Sequence, residues 1–480
     1  MADQGLLAQS KPGANTNTLL YSAPVDKSAS TVLTVANDGT GSAYKVGIKD
    51  YDQKLTLDAS TYRLHKGDLV TGYKVTVNNA MDSTSGFTGG SLITSDDSEK
   101  TFYFESFAVP DVTTWYVKTA SIRQVTLESV TGTFVVGGTL STGTSPDDTT
   151  AVIYGVVGTI LYIGPSTING SGAEFADGNS VSSGAASGTI SSGGIGTASN
   201  DFIISTTTAG GTYSLFLGDP LEAFTDRTYK FDLSDSSMTG RDFKISSTVN
   251  GIWGADGVIG GGDDGVEYTT GKTSGGTAGS SGAFIQYDWT ASTALTVMYF
   301  YDGGSGTASN ADYGGADRSI TMSSQFTYTD FFVYDVSGTW TNGSDSFTQA
   351  ATTFTVTAQT VAAYGYVRDY TGTTLKVIKG LNSPDFAGSD TFKDAPLLEN
   401  LTRNTVTVNS VDVATTALED ENYIVNGVTN GNNEVDRITS LVVGPGEKLI
   451  INSTTANNSF SLIGFEDAST AFTARVFATI

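Results

Sequence analysis

Short runs of apolar and β-branched residues, each cut off by Gly, Pro, Asn or Asp, fill both ends of the chain and predict strands joined by tight turns. Near the C-terminus, Leu441-Val442-Val443 and Leu449-Ile450-Ile451 flank Gly444-Pro445-Gly446, a sequence that turns. Asn457-Asn458 turns the chain again before Phe460, Leu462 and Phe465. Such a three-strand meander has one apolar face and an open edge, so it needs partners. The N-terminus supplies matching strands at 18–24, 31–41 and 43–48. The expectation is one β-sandwich built from both ends, with everything between inserted into it.

Between those ends the strand candidates continue. Residues 54–57, 62–70 and 72–77 follow, with Lys66-Gly67-Asp68 as a turn, and then 101–107, 115–118 and 122–127. The stretch 81–129 is assigned to the outer sandwich or its edge. An internal repeat comes next: segments 132–140, 151–155 and 158–164 return as 338–343, 363–367 and 372–380. Two copies are too few for a solenoid and read as paired small modules around a central domain. Residues 178–200 are rich in Gly, Ser and Ala and predict a linker or long surface loop. Helical periodicity is missing apart from one short candidate at 394–401, where Asp394 precedes Pro396. Residues 1–14 read as a tail, an arm for a neighbouring subunit at most.

The phrases LLYSAP (19–24), TVLTVANDGTGSAYKV (31–46) and VVGPGEKLIINSTTANNSFSLIGFE (442–466) resemble the small immunoglobulin-like modules of tailed-phage virion proteins. With its middle section the chain resembles the large structural proteins of contractile-tailed cyanophages. The central phrases YKFDLSDSSMTGRDFKISST (229–248), DGVEYTTGKTSGGTAGSSGAFIQY (264–287) and MYFYDGG (298–304) resemble cupredoxin-like sandwiches of phage particles. Relatives that hold copper need imidazole and thiolate ligands. Those places here read Arg241-Asp242-Phe243 and Phe300-Tyr301-Asp302, so the resemblance implies the fold without the metal.

The predicted architecture is therefore all-β and multi-domain, a discontinuous immunoglobulin-like outer sandwich with a cupredoxin-like domain inserted. The boundaries expected are 1–129 and 394–480 for the outer sandwich, 130–200 and 337–393 for the small modules and 201–336 for the cupredoxin-like domain. A length of 480 residues with 57 Gly and 50 aromatics (24 Phe, 22 Tyr, 4 Trp) fits that reading and disfavours disorder.

Charge and chemistry narrow the function. Fifty acidic against 25 basic residues give a formal charge of −25, which repels a phosphate backbone and argues against nucleic acid as a partner. Cysteine is absent, excluding disulfides, thiolate metal sites and a Cys nucleophile. No signal-like leader and no window of ~18 apolar residues is present, so the expectation is a protein made in the cytosol, without membrane insertion. His65, the one histidine, sits before a Gly-Asp turn and lacks a Ser elbow to serve, so it reads as a turn-flanking side chain.

Two carboxylates suffice for glycoside cleavage. Asp96-Asp97 and Asp147-Asp148, however, read as turn formers. The metal candidate is calcium on Asp256, Asp263, Asp264 and Glu267, in a Gly-rich loop without the spacing of a known calcium motif. The Gly-rich segments 257–265 and 271–282 lack the Lys-Ser/Thr and helix of a phosphate cradle. Aromatic runs at Tyr299, Phe300, Tyr301 and at Phe331, Phe332, Tyr334 are expected to divide between core and interface, or a sugar-stacking surface. No catalytic residue and no cofactor is assigned. The expectation is a non-enzymatic virion subunit, homo-oligomeric, contacting other virion proteins at capsid or tail through its outer sandwich with the inserted modules projecting. The alternative is a receptor- or glycan-binding fibre or baseplate component; a surface-layer or adhesin protein is a third reading that the missing export signal opposes.

Overall fold

The structure, a computed structural model, describes residues 4–110, 112–291, 296–304, 318–394, 403–412 and 416–469. It is all-β: among the described residues there is no α-helix, only 3₁₀ turns such as Ser236–Met238 and Gly251–Trp253. The short helix expected at 394–401 lies, beyond Asp394, outside the described residues. The chain divides into two compact units, Met1–Ala108 with Thr327–Ile480, and Val109–Phe326.

In the first unit both ends of the chain enter one sandwich. One sheet runs Gln4–Ser10, Asn458–Ala468, Lys27–Asn37, Val435–Val443, and the other Thr18–Ser22, Lys448–Ser453, Ser42–Lys49, Tyr423–Asn430. Alternation decides which side is buried. Ala29, Leu33 and Val35 are fully buried between the sheets with Phe460, Leu462, Leu449 and Ile451, while Ser30, Val32 and Thr34 face outward. The Lys27–Asn37 strand pairs antiparallel with Asn458–Ala468 over its whole length, from Lys27 opposite Ala468 to Asn37 opposite Asn458. Buried asparagines satisfy the backbone where the strands end. Asn37 Nδ2 donates to the Asn430 carbonyl at 2.8 Å, Asn430 Nδ2 to the Val35 carbonyl at 3.0 Å and Asn458 Nδ2 to Ser453 Oγ at 3.0 Å.

Inside this sandwich in chain order lie two further bodies, each again made of two distant segments. The first is a six-stranded sheet of Thr391–Lys393, Thr405–Asp412, Gln53–Leu57, Thr374–Lys379, Tyr364–Thr371 and Leu69–Thr71, over a core that includes Leu55, Val367, Leu375, Val377 and Val408. The second is a six-stranded sheet of Ser346–Gln349, Thr352–Thr360, Lys74–Met81, Tyr328–Ser337, Thr101–Phe107 and Leu92–Thr94. Its core is aromatic: Phe102 meets Trp340 at 4.7 Å between ring centroids and Phe87 meets Phe354 at 5.4 Å, close contacts that reinforce area burial.

These pairings change the expected boundaries. The repeat segments 338–343, 363–367 and 372–380 do not form a module of their own. Trp340 packs in the aromatic core, whereas Val367 and Leu375 pack in the neighbouring one, because each returning strand pairs with a different N-terminal strand. Likewise 405–412, expected in the outer sandwich, adds to Gln53–Leu57 in the next body.

The second unit is organised by one strand, Val112–Thr131. The pattern predicts two strands there, 115–118 and 122–127, in the outer sandwich or at its edge. Thr119-Ala120-Ser121 contains no Gly, Pro, Asn or Asp to break the strand, and the chain runs straight through, its side chains entering successive cores. Trp115 and Val117 join one, Ile122 a second, and Val125 and Leu127 a third. The first core belongs to a sandwich whose sheets include Thr228–Asp232 and Phe284–Asp288 on one side, and Leu221–Phe224, Ser319–Ser323, Val297–Asp302 and Phe243–Ser246 on the other. The third core closes a small module. There the stretch read as a linker, 178–200, forms strands Ser180–Ser183 and Ala186–Ile195. Its inward positions are Val181, Ala186, Gly188 and Ile190, two of the four too small to register as an apolar pattern.

Candidate functional site

The loop following Phe243–Ser246 brings together three of the four carboxylates proposed for calcium. Ligand oxygens of Asp256, Asp263 and Asp264 lie within 4.8 Å of one another. Each carboxylate already holds the loop's backbone. Asp263 Oδ2 accepts from the N–H of Ala255 at 2.6 Å and of Asp256 at 3.1 Å, Asp256 Oδ1 from Val258 at 2.9 Å, and Asp264 Oδ2 from Gly260 at 2.5 Å. These bonds keep the Asp263 carboxyl below its ordinary range. The remaining oxygens of Asp256 and Asp263 converge at Gly261, where an added Cβ would stand 3.2 Å and 2.6 Å from them. Oxygen donors of this kind suit a hard cation. Glu267 is not among them, because its carboxylate is taken by Lys272 and by Lys244 at 3.7 Å.

The other candidates settle into structural roles. Asp97 is fastened by Lys100 at 2.8 Å and by Ser95, and Asp96 accepts from Ser346 Oγ at 2.5 Å. Asp147 accepts from the Ser171 N–H at 2.7 Å, and Asp148 from Asn169 Nδ2 at 3.0 Å. All four carboxylates thus brace turns. The His65 ring is exposed, and the residue closes its turn through its backbone N–H to Asp68 at 2.7 Å. Five of the six singled-out aromatics are core: Phe300, Tyr301, Phe331, Phe332 and Tyr334 are buried and only Tyr299 is part-exposed. Their strands are covered on both faces, which removes the expected outward half. In the segments Arg241-Asp242-Phe243 and Phe300-Tyr301-Asp302, Arg241 pairs with Asp302 at 3.5 Å and Phe243 stacks on Phe300 at 6.0 Å.

A hollow of about 500 Å³ lies where the small module of the second unit meets its sandwich. Gly155 sits at a register shift, and a Cβ there would press Tyr162 at 3.3 Å and Leu215 and Leu217 at 3.4 Å. The segment after residue 213 can therefore approach, and Leu215 N–H donates to the Tyr154 carbonyl at 2.8 Å. Phe216 lines the hollow, held at φ +53°, an uncommon conformation for a bulky residue. Thr206, Thr207, Thr212, Ser214 and Asp219 supply hydroxyls and a carboxylate, and among the described residues no cationic side chain lines the space. Hydroxyls around a ring that is partly packed on the core can hold a neutral polyhydroxylated group.

No family model, curated protein or solved structure matches the chain. Among the described residues, no helix is long and apolar enough to cross a membrane.

A buried ion pair and a half-buried carboxylate leave little trace in the sequence pattern. Asp201 and Arg318 form an ion pair, both side chains essentially without exposure, with Arg318 Nε donating to Asp201 Oδ1 at 2.9 Å. Asp335 lies in the run Phe331–Val336 at φ +47°. A carboxylate inside an aromatic strand was the available signal for Asp335; Arg318 stands next to its strand with no pattern around it.

Proposed function

We propose that the chain is a non-enzymatic structural subunit of a phage particle, present in repeated copies and attached at capsid or tail through the sandwich of its termini. The observation that carries this is the double passage of the chain. Each body of the first unit is assembled from an outgoing and a returning segment, and the chain crosses to the second unit and back at 108–109 and 326–327. A load applied to an inserted body is then shared by two covalent connections, and it must shear antiparallel ladders such as Lys27–Asn37 against Asn458–Ala468. That is a design for permanence under stress. Mass spectrometry of purified virions tests it: the chain is expected among the particle proteins, in multiple copies per virion, and its absence from virions of the phage that encodes it overturns the reading.

The hollow beside Phe216 supports a second reading, a glycan-binding fibre or baseplate component. A glycan array probed with the full chain separates the two. Binding that disappears in Phe216→Gly, a change that also relieves the left-handed backbone, favours the second; no bound glycan disposes of it.

A further inference from the structure

The outward face of the sheet that contains Lys27–Asn37 is apolar at its centre and oppositely charged toward its two ends. Even-numbered residues of that strand face out, since Ala29, Leu33 and Val35 fill the core. Cross-strand register fixes their neighbours. Ser28 lies opposite Asp467, and Ser30 lies between Phe465 and Val442. Val32 lies opposite Ile463, which in turn faces Leu6, and Thr34 lies opposite Arg437. Leu6 is 60% exposed, Val442 58%, Ile463 50% and Phe465 48%. Side chains of this size, half bare on neighbouring strands, make a contiguous patch rather than scattered surface residues. Asp467 and Arg437 are both exposed, and neither makes a side-chain hydrogen bond or ion pair among the described residues. They stand six residues apart along the central strand, about 20 Å at ~3.3 Å per residue, with the apolar rows of Ser30 and Val32 midway between them.

We propose that this face is a two-fold interface with a second copy of the same chain. A two-fold axis lying between the facing sheets, level with Thr31 and perpendicular to the line that joins Asp467 to Arg437 on the two strands flanking Lys27–Asn37, lays the apolar rows of the two copies across each other. The same operation sets each copy's Asp467 against the other's Arg437, so one patch is complementary to itself, as an isologous contact requires. The charge argument selects this occupant. Copies carrying −25 each repel at long range, and a face that combines apolar area with two mutually satisfying ion pairs is where that repulsion is locally reversed.

Sedimentation of the full chain tests this independently of the particle reading, which virion composition decides. A reversible dimer is expected. Arg437→Glu and Asp467→Arg each bring like charges together and are expected to weaken it by about tenfold or more, whereas the double exchange R437E/D467R restores it to within about threefold. Ile463→Ser with Phe465→Ser abolishes it, and at dilutions where the wild type is monomeric too, the charge reversals leave the melting temperature in place. A chain that stays monomeric, or a dimer indifferent to the charge reversals, overturns the proposal. So does a dimer that forms only after residues 470–480 are removed, which would assign the face to that segment instead.

Discussion

Asp335→Asn is expected to make the first unit more stable at neutral pH, and the gain should vanish in acid. Asp335 occupies a register shift between Tyr328–Ser337 and Thr101–Phe107. Its carboxylate is reached by the Leu381 N–H and the Tyr366 hydroxyl, yet Oδ1 is buried without a partner among the described residues. Burial, with Asp26 adding like charge, pushes its carboxyl from 3.8 up to about 6. Below the unfolded value both states hold the proton and nothing is lost. As pH rises from about 4 to 6, the unfolded chain ionises freely while the folded one resists, so stability falls through that window and stays lower above it. The shift of roughly two units at 1.36 kcal/mol each gives about 3 kcal/mol, and partial exposure reduces this to about 2. Asparagine carries no charge and tolerates the positive φ. Its amide nitrogen inherits the unpartnered position, at a cost of about 1 kcal/mol. The net expectation is a gain of about 1 kcal/mol near pH 7.5 that disappears or reverses near pH 3.5. Denaturant unfolding of wild type and variant at several pH values measures it, because the difference cancels every other titrating group. A variant less stable at neutral pH, or a difference that is flat across pH, refutes the reasoning.

Breaking the Asp201–Arg318 pair from one side, by Asp201→Asn or Arg318→Met, leaves a charge buried in the second unit and should cost about 3–5 kcal/mol, while the double change to apolar residues costs less than either; calorimetry of the three variants decides. Gly446 turns at φ +71° and an added Cβ would meet Ile378 at 2.3 Å, so Gly446→Ala should lower the melting temperature of the first unit by several degrees. Leu33→Ala empties a fully buried site shared by strands from both ends of the chain and is expected to cost about 2–5 kcal/mol in denaturant unfolding. Asp263→Ala frees the N–H groups of Ala255 and Asp256 and should speed their hydrogen exchange without altering global melting.

What was legible in the sequence was whatever pattern and turn chemistry decide locally. The Gly444-Pro445-Gly446 turn, the paired terminal strands and the all-β class follow from alternation and punctuation. Partner choice did not, because a period of two says which side of a strand is buried and nothing about which strand lies beside it. The segments 338–343 and 363–380 look like the earlier 132–164 yet fall into two cores, one around Phe347 and one around Leu375, since strands near the start of the chain claim them. Strand Ala186–Ile195 was hidden by composition, its buried positions being Ala and Gly as well as Ile. At the candidate site the sequence located Asp256, Asp263 and Asp264, which nearness in one loop brings together. It misplaced Glu267, whose lysine partners are decided by neighbouring strands.

The order in which the bodies enclose one another also sets a timetable for synthesis. Strands up to Lys49 leave the ribosome early, but their neighbours begin at Tyr423, roughly 370 residues later. At ~5–20 residues per second, the first strands wait on the order of 20–75 s with bare edges. Maturation must therefore run from the inside out, with the innermost pairs zipping first and the terminal seam closing last.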